Sequence, residues 1–381
     1  MTAIPIRNIY YLLSYAWDLL EEADELAVET ENLPRVEDLL ARLLVHGTRR
    51  LLRRGIDQNF IPQSDILATV RGRIDFEVST RRLLLKHGKV QCNFEEFLPD
   101  LLHNRILKET LKALGTYSEL DSGQRAEIKA VLRRMEGISP LHIRKSHFAQ
   151  VRLHKNNAHY RLLMHICELV HDNLLVNEEK GTRFFRDFLR DKRQMAKLFE
   201  HFVARFYRKE IGAMGWTVKP QEHIPWDSPV QSEFLPQMHA DTILRGEGRV
   251  VVVECKFYKE MLQSSQRSSV AKIRSSHLYQ LMTYLRNLEA SLTGQEVEGL
   301  LVYPAVQPVA QPDFGRDMKL SGHPVRVCTI NLARQWKDVA ERMHQIMFTC
   351  HGEIYEPHRV LLDSSSTKGS KYRRVLDLAE I

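Results

Sequence analysis

Met238-His239-Ala240-Asp241-Thr242-Ile243-Leu244-Arg245-Gly246-Glu247-Gly248-Arg249-Val250-Val251-Val252-Val253-Glu254-Cys255-Lys256 is the stretch that decides the fold. Two strand-forming runs flank Arg245-Gly246-Glu247-Gly248, whose turn residues predict a hairpin with a loop of about four to six residues. Val250 to Val253 is continuously apolar, the mark of a central strand buried on both faces. Burial should continue past Val253, yet Glu254 and Lys256 stand there. Side chains alternate along a strand, so Glu254 and Lys256 share a face while Cys255 points to the other. The hairpin brings Asp241 opposite or diagonal to Glu254, so two carboxylates and an ammonium converge. Neighbouring carboxylates repel each other, and a hard divalent cation relieves that repulsion. Mg²⁺ prefers carboxylate, carbonyl and water oxygens, which makes Asp241, Glu254 and the backbone carbonyl of Cys255 the expected ligands. Such an ion lowers the pKa of a bound water and neutralises charge building on a phosphate. Lys256 is placed to orient or deprotonate that water, or to stabilise the crowded phosphorus centre. By itself the pattern is short, and an ion pair capping an ordinary strand also fits it.

The helix expected from Ser275 to Leu292 adds Gln280 and Tyr284, four apart and therefore on one face, either contacting substrate or supporting the lysine. Glu200, on a helix expected over Phe184–Ile211, is a candidate extra carboxylate for the metal. From residue 184 the predicted order is helix, three strands, helix, two strands, helix, with a Ser-rich loop over Ser264–Ser269. That order makes an α/β unit with a mixed sheet of four or five strands. Residues 1–155 read as a separate unit. In it, Ile9–Trp17 is a helix apolar on most sides, Val36–Arg54 is a helix with a basic end, and Ile66–Phe76 forms short strands around Gly72. Helices follow near Leu98–Tyr117 and Ser122–Met135, and another over Tyr160–Asn177. The second domain spans 160–350, and residues 351–381 are expected to form a tail that is mobile at least in part.

Of the 381 residues, 43% are hydrophobic and 27% charged, which excludes a disordered chain. No run approaches the roughly 20 apolar residues that span a bilayer, and no secretory signal opens the chain, so the expected compartment is the cytoplasm. Five widely spaced cysteines without a CxxC pair argue against a disulfide framework or a zinc site of the usual spacing. A net charge of +7 is compatible with a polyanionic partner without requiring one. The histidines between His142 and His171 form no His-Glu-x-x-His pattern, and Lys180-Gly181-Thr182 lacks the glycine of a phosphate loop. Any nucleotide is therefore bound by another polypeptide.

Asp241, Glu254 and Lys256 with Gln280 and Tyr284 resemble the PD-(D/E)xK nuclease superfamily. Ile6-Arg7-Asn8-Ile9-Tyr10-Tyr11, Arg71-Gly72-Arg73-Ile74, Asn104-Arg105-Ile106, Phe199-Glu200, Leu278–Leu285 and Leu301-Val302-Tyr303-Pro304 narrow this to a resemblance to the McrC family of McrBC 5-methylcytosine restriction systems. The resemblance implies a C-terminal restriction-endonuclease-like α/β domain, with a central mixed sheet flanked by helices, after an α+β N-terminal domain. It also implies that Asp241, Glu254 and Lys256 are catalytic. The N-terminal domain is then the module that docks on, and stimulates, an McrB-like AAA+ GTPase ring delivering double-stranded DNA with methylated cytosine. Two departures stand: His239-Ala240-Asp241 lacks the superfamily's proline, and Glu254 takes a place where relatives carry Asp. A free-standing RecB-like repair nuclease and a non-cutting GTPase-activating scaffold remain the alternatives.

Overall fold

In the computed structural model of the chain, the described residues are 4–17, 33, 35–176, 183–186, 189, 191–228, 233–258, 262–265, 268–292, 294–305 and 314–348. The chain divides into two compact units, Met1–Leu20 with Phe188–Ile381, and Glu21–Asp187. The boundary therefore lies near 187 rather than 155, and the first helix, α1 (Ile6–Ala16), belongs with the C-terminal half. The reason is aromatic packing and one buried amide. Tyr11 stacks on Trp336 at 4.4 Å, and Tyr15 meets Phe206 at 5.2 Å. Asn8 Nδ2 donates to the carbonyls of Leu332 and Arg334, both at 2.7 Å. The expected tail and Lys180-Gly181-Thr182 lie outside the described residues.

The Glu21–Asp187 unit comprises α2 (Val36–Arg54), β1 (Asn59–Leu67), β2 (Arg73–Ile74), α3 (Phe76–Arg81), β3 (Val90–Leu98), α4 (Leu102–Gly115), α5 (Ser122–Leu132), α6 (Lys145–Gln150), α7 (Tyr160–Asn173), β4 (Leu174–Val176) and β5 (Arg183–Phe185). β1, β3 and β2 form a small antiparallel sheet in that order. Gly72 is required beside it. Its φ is 68°, and a Cβ would fall 2.5 Å from the Asn93 carbonyl oxygen. α7 ends at Asn173, short of the expected Asn177, because the next three residues pair with β5. The same pairing delays the helix expected from Phe184. As α8 it spans Lys192–Glu210, and Asp191 caps it by accepting from the backbone N–H groups of Arg193 and Gln194.

The other unit continues with β6 (Thr217–Ile224), β7 (Met238–Gly246), β8 (Arg249–Cys255), β9 (Leu262–Ser265), β10 (Ser268–Ile273), α9 (Ser275–Glu289), β11 (Glu296–Ala305), β12 (Gly315–Leu320), β13 (His323–Asn331) and α10 (Trp336–Phe348). Among the described residues its main sheet has six strands in the order β12-β13-β11-β8-β7-β6. It is mixed, as expected, but larger. β12, whose Gly-Arg-Asp-Met-Lys-Leu carries little strand signal, is recruited to the edge by a hairpin to β13. The expected Ser-rich loop is instead partly the two-stranded ribbon of β9 and β10.

β8 is the central strand, parallel to β11 and antiparallel to β7. One face of the sheet buries Val250, Val252, Leu301, Tyr303, Val325 and Val327 against Leu281, Tyr284, Leu285 and Leu288 of α9. Burying such a side chain contributes about 1.5–3 kcal/mol. α1, α8 and α10 contribute nothing to that cluster and pack on the other side, where α8 meets β6, β7 and β8. No described helix is long and apolar enough to cross a membrane.

The β7–β8 hairpin is tighter than expected. Arg245 and Gly246 pair with Val250 and Arg249, so the loop is only Glu247-Gly248, with φ of 52° and 74°. Positive φ at both positions matches strand twist, at a cost to the non-glycine Glu247. Glu247→Asn should therefore raise stability by up to about 1 kcal/mol. A Cβ at Gly246 would lie 2.4 Å from the Trp216 ring. Gly246→Ala should lower stability by about 1–3 kcal/mol. Thermal unfolding checks both, because each kcal/mol shifts the midpoint by about 2–4 °C in a unit of this size.

Candidate active site

The hairpin ladder closes with Thr242 opposite Val253, so one step further Asp241 lies opposite Glu254. The ladder is finished there by a side chain: Asp241 Oδ2 accepts from the backbone N–H of Cys255 at 2.8 Å. On β8, Glu254 is 1% exposed. Its Oε1 accepts from Lys256 Nζ at 2.6 Å. Lys256 is anchored in turn, its backbone N–H donating to the Val302 carbonyl of β11 at 2.8 Å. Strand alternation thus places Glu254 and Lys256 on the face covered by α9.

α9 supplies the next layer. Gln280 Oε1 accepts from Lys256 Nζ at 2.8 Å, and Gln280 Nε2 donates to the Tyr284 hydroxyl at 2.8 Å. Their four-residue spacing places both on one helix face, and in this structure that face steadies the lysine. His277, one turn earlier, meets the Tyr303 hydroxyl at 2.8 Å. Burial first, then Lys256 and Arg274, push the His277 imidazole down to about 4, so it stays neutral beside the ammonium.

From the opposite face α8 brings Glu200 toward Asp241. The Gln221 side-chain amide donates to Glu200 Oε1 and also lowers the Asp241 pKa. Sequence reasoning passed over Gln221. The available signal was Pro220, since proline inside a strand marks an edge or a bulge. Strand alternation breaks at this point, because Ala240 and Ile243, three residues apart, both join the cluster against α9.

The electrostatics follow from burial and like charge. Burial, then the Asp241 charge, pushes Glu200 up to about 7. Burial, again with Asp241, pushes Glu254 up to about 7 despite Lys256. Burial also raises Asp241, against the Cys255 N–H, Lys256 and Gln221. For Lys256, burial pulls downward, but Glu254 and Asp241 outweigh it and the pKa is raised. Cys255 lies between these acids, its thiol raised well above the ordinary value by burial and by their charges.

Among the described residues no three His, Cys, Asp or Glu side chains form a ready-made metal cage. The donors do fit a magnesium ion that takes one or two carboxylates and fills its shell with water and substrate. Glu254 Oε2 is the telling atom, a buried carboxylate oxygen without a hydrogen-bond partner. Leaving such an atom unpaired costs about 1–3 kcal/mol, more if charged. Asp241 and Glu254 are the pair that would hold the ion, with Glu200 beside Asp241.

The description "McrBC 5-methylcytosine restriction system component" belongs to the protein family that matches residues 6–304. The Escherichia coli (strain K12) type IV methyl-directed restriction enzyme EcoKMcrBC is 32% identical over 347 residues, 90% of this chain and 97% of the relative. Among solved structures, McrC bound to McrB AAA+ hexamers of Thermococcus gammatolerans is similar in fold, with a TM-score of 0.57 at 17% identity, over 90% of this chain and 75% of that one.

The raised carboxyl pKa values set a sign for pH dependence. Glu200 and Glu254 stand near 7 against 4.5 for the free side chain. Their contribution to stability is fully present below about pH 4.5 and is lost as pH rises through 7. Metal-free protein should therefore melt lower at pH 8 than at pH 5.5. Mg²⁺ should restore stability at pH 8, by about 2.7 kcal/mol at 100 times its dissociation constant, and do much less at pH 5.5, where protons compete. Equal stabilisation by Mg²⁺ at both pH values would contradict this account.

Proposed function

The chain belongs to the family of McrBC 5-methylcytosine restriction system components, and we propose that it is the magnesium-dependent endodeoxyribonuclease subunit of such a system. One observation carries this reading: a buried acid with an unpaired oxygen and a half-buried acid on adjoining strands, set against an ammonium 2.6 Å from the buried one. This is the arrangement that the PD-(D/E)xK resemblance implies. Asp241 and Glu254 would hold the ion, with the carbonyl of Cys255 and the carboxylate of Glu200 as further oxygens. When bound, Mg²⁺ would supply a Lewis acid that acidifies water and neutralises phosphate charge.

The chain's own residues divide the remaining work. Lys256, with its pKa raised, stays an ammonium at neutral pH. It therefore stabilises negative charge building on the phosphate rather than taking a proton. Gln280 and Tyr284 fix where that charge sits. Glu200, near 7 without metal, would give up its proton on joining the ion's shell, so its binding is favoured as pH rises.

The partner follows from likeness. The E. coli relative is methyl-directed, and the T. gammatolerans assembly holds McrC on McrB AAA+ hexamers. By that likeness this chain docks on an McrB-like GTPase ring, stimulates GTP hydrolysis, and cuts double-stranded DNA bearing 5-methylcytosine in the cytoplasm. The Glu21–Asp187 unit offers a surface for the ring. Phe60 and Phe97 pair across β1 and β3 with their rings 5.2 Å apart, yet are 61% and 55% exposed. Val70, Phe76, Leu83 and Leu85 in the same unit are also exposed. Such apolar exposure marks an interaction surface.

Lys256→Ala should reduce plasmid cleavage by about 10²–10³-fold. GTPase stimulation should stay near the wild-type level, since the unit assigned to the ring is untouched. Cutting without ring or GTP would point instead to a free-standing nuclease, and stimulation without any cutting by the wild type to a scaffold. The converse variant, Phe60→Asp with Phe97→Asp, should weaken ring binding and GTPase stimulation while leaving the melting temperature of the nuclease unit unchanged. Pull-down of the ring together with a GTPase assay checks it.

A further inference from the structure

We propose that Gln221 is a positioning residue that holds Glu200 and Asp241 together for a divalent cation. The inference rests on the nuclease reading of this site. Four non-glycine described residues have positive φ: Leu83, Gln221, Glu247 and Ser321. Glu247 and Ser321 lie in hairpin turns and Leu83 precedes a short helical turn, whereas Gln221 lies inside a strand, with φ of 50°. A strand has no need of a left-handed residue, and one bearing a Cβ is disfavoured there. Such strain persists where the surroundings enforce it, and it clusters at functional sites.

The surroundings here are specific. The β6–β7 ladder pairs Pro220 with Thr242 and Glu222 with Ala240, leaving Gln221 opposite Asp241 without a ladder pair of its own. Pro220 has no N–H to donate, so the edge strand is free to deform. The deformation directs the side-chain amide to the acids: it donates to Glu200 Oε1, and from its place opposite Asp241 it lowers that carboxyl's pKa. The Gln221 carbonyl faces His239 Nδ1 at 3.3 Å. A primary amide has two N–H donors, enough for one carboxylate each. It is also neutral. A lysine or arginine at this position would hold the same acids but cancel the charge that attracts the cation; the amide orders them and leaves that charge in place.

The test uses the full chain with Gln221→Gly and Gln221→Ala. Both remove the amide, but glycine also relieves the strained backbone, so loss of folding cannot explain its behaviour. Three measurements are made: thermal melting without metal, calorimetric titration with Mn²⁺ in the absence of DNA, and the Mg²⁺ dependence of cleavage with the GTPase ring. Gln221→Gly should melt at or above the wild-type temperature. Both variants should bind Mn²⁺ about 10-fold or more weakly, the scale expected when a partner of a metal ligand is lost. Half-saturating Mg²⁺ should rise by a similar factor. A glycine variant with wild-type Mn²⁺ affinity and an unchanged Mg²⁺ curve would overturn the proposal and leave Gln221 a feature of strand shape. Wild type that neither binds Mn²⁺ nor cuts DNA would overturn the nuclease reading beneath it.

Discussion

The repulsion between Asp241 and Glu254, held side by side at the end of a hairpin, is the constraint around which this unit is organised. Burial makes it stronger, because charge in a poorly solvated site is screened little. The structure answers with a donor from each side: the Cys255 N–H for Asp241, Lys256 for Glu254, and Gln221 for Glu200. Each donor comes from an element that the fold must already place. β8 is central so that its end lies between β7 and β11, and α9 crosses back so that Gln280 reaches Lys256.

A second buried glutamate on the neighbouring strand shows what a purely structural solution looks like. Glu298 of β11 is 2% exposed, and the Arg249 guanidinium grips both its oxygens at 2.5 and 2.8 Å. That fork satisfies the carboxylate completely. Glu254, one strand away, is equally buried but receives one lysine on one oxygen and nothing on the other. Two acids in one sheet, similarly buried, are treated differently. The unsatisfied oxygen, the left-handed Gln221 and the neutral His277 all fall at the same end of the sheet. Concentration of such departures in one place is the signature of a site whose local rules are broken for function.

Other segments that carry the family resemblance have structural reasons. Asn104 is fully buried, with Nδ2 donating to the Asp57 and Pro99 carbonyls at 2.9 and 2.8 Å and Oδ1 accepting from the Tyr160 hydroxyl at 2.8 Å. In Arg71-Gly72-Arg73-Ile74, glycine lets the chain press against β3, and the Arg71 guanidinium lies 4.3 Å over the Phe94 ring. Tyr303 ties β11 to His277 of α9. These residues hold the frame of each unit, apart from the proposed site at the sheet end.

The hairpin, the central strand and the facing of Asp241 toward Glu254 were legible in the sequence because they depend on short-range rules: a turn, a period of two, and a polar residue where an apolar run should continue. The spacing of Gln280 and Tyr284 was legible for the same reason, although only the fold set Gln280 against the lysine. Beyond that reach the sequence was silent. α1 reads as a helix apolar on most sides, but apolar burial is non-directional, so nothing local states that its partners lie near residues 206 and 336. β12 becomes a strand only because β13 offers an unpaired edge. Gln221 looks like any polar residue of an edge strand until a distant helix presents Glu200 to it. The acids are a property of the chain; what surrounds them is a property of the fold, because contacts between distant segments form only when the whole sheet has closed.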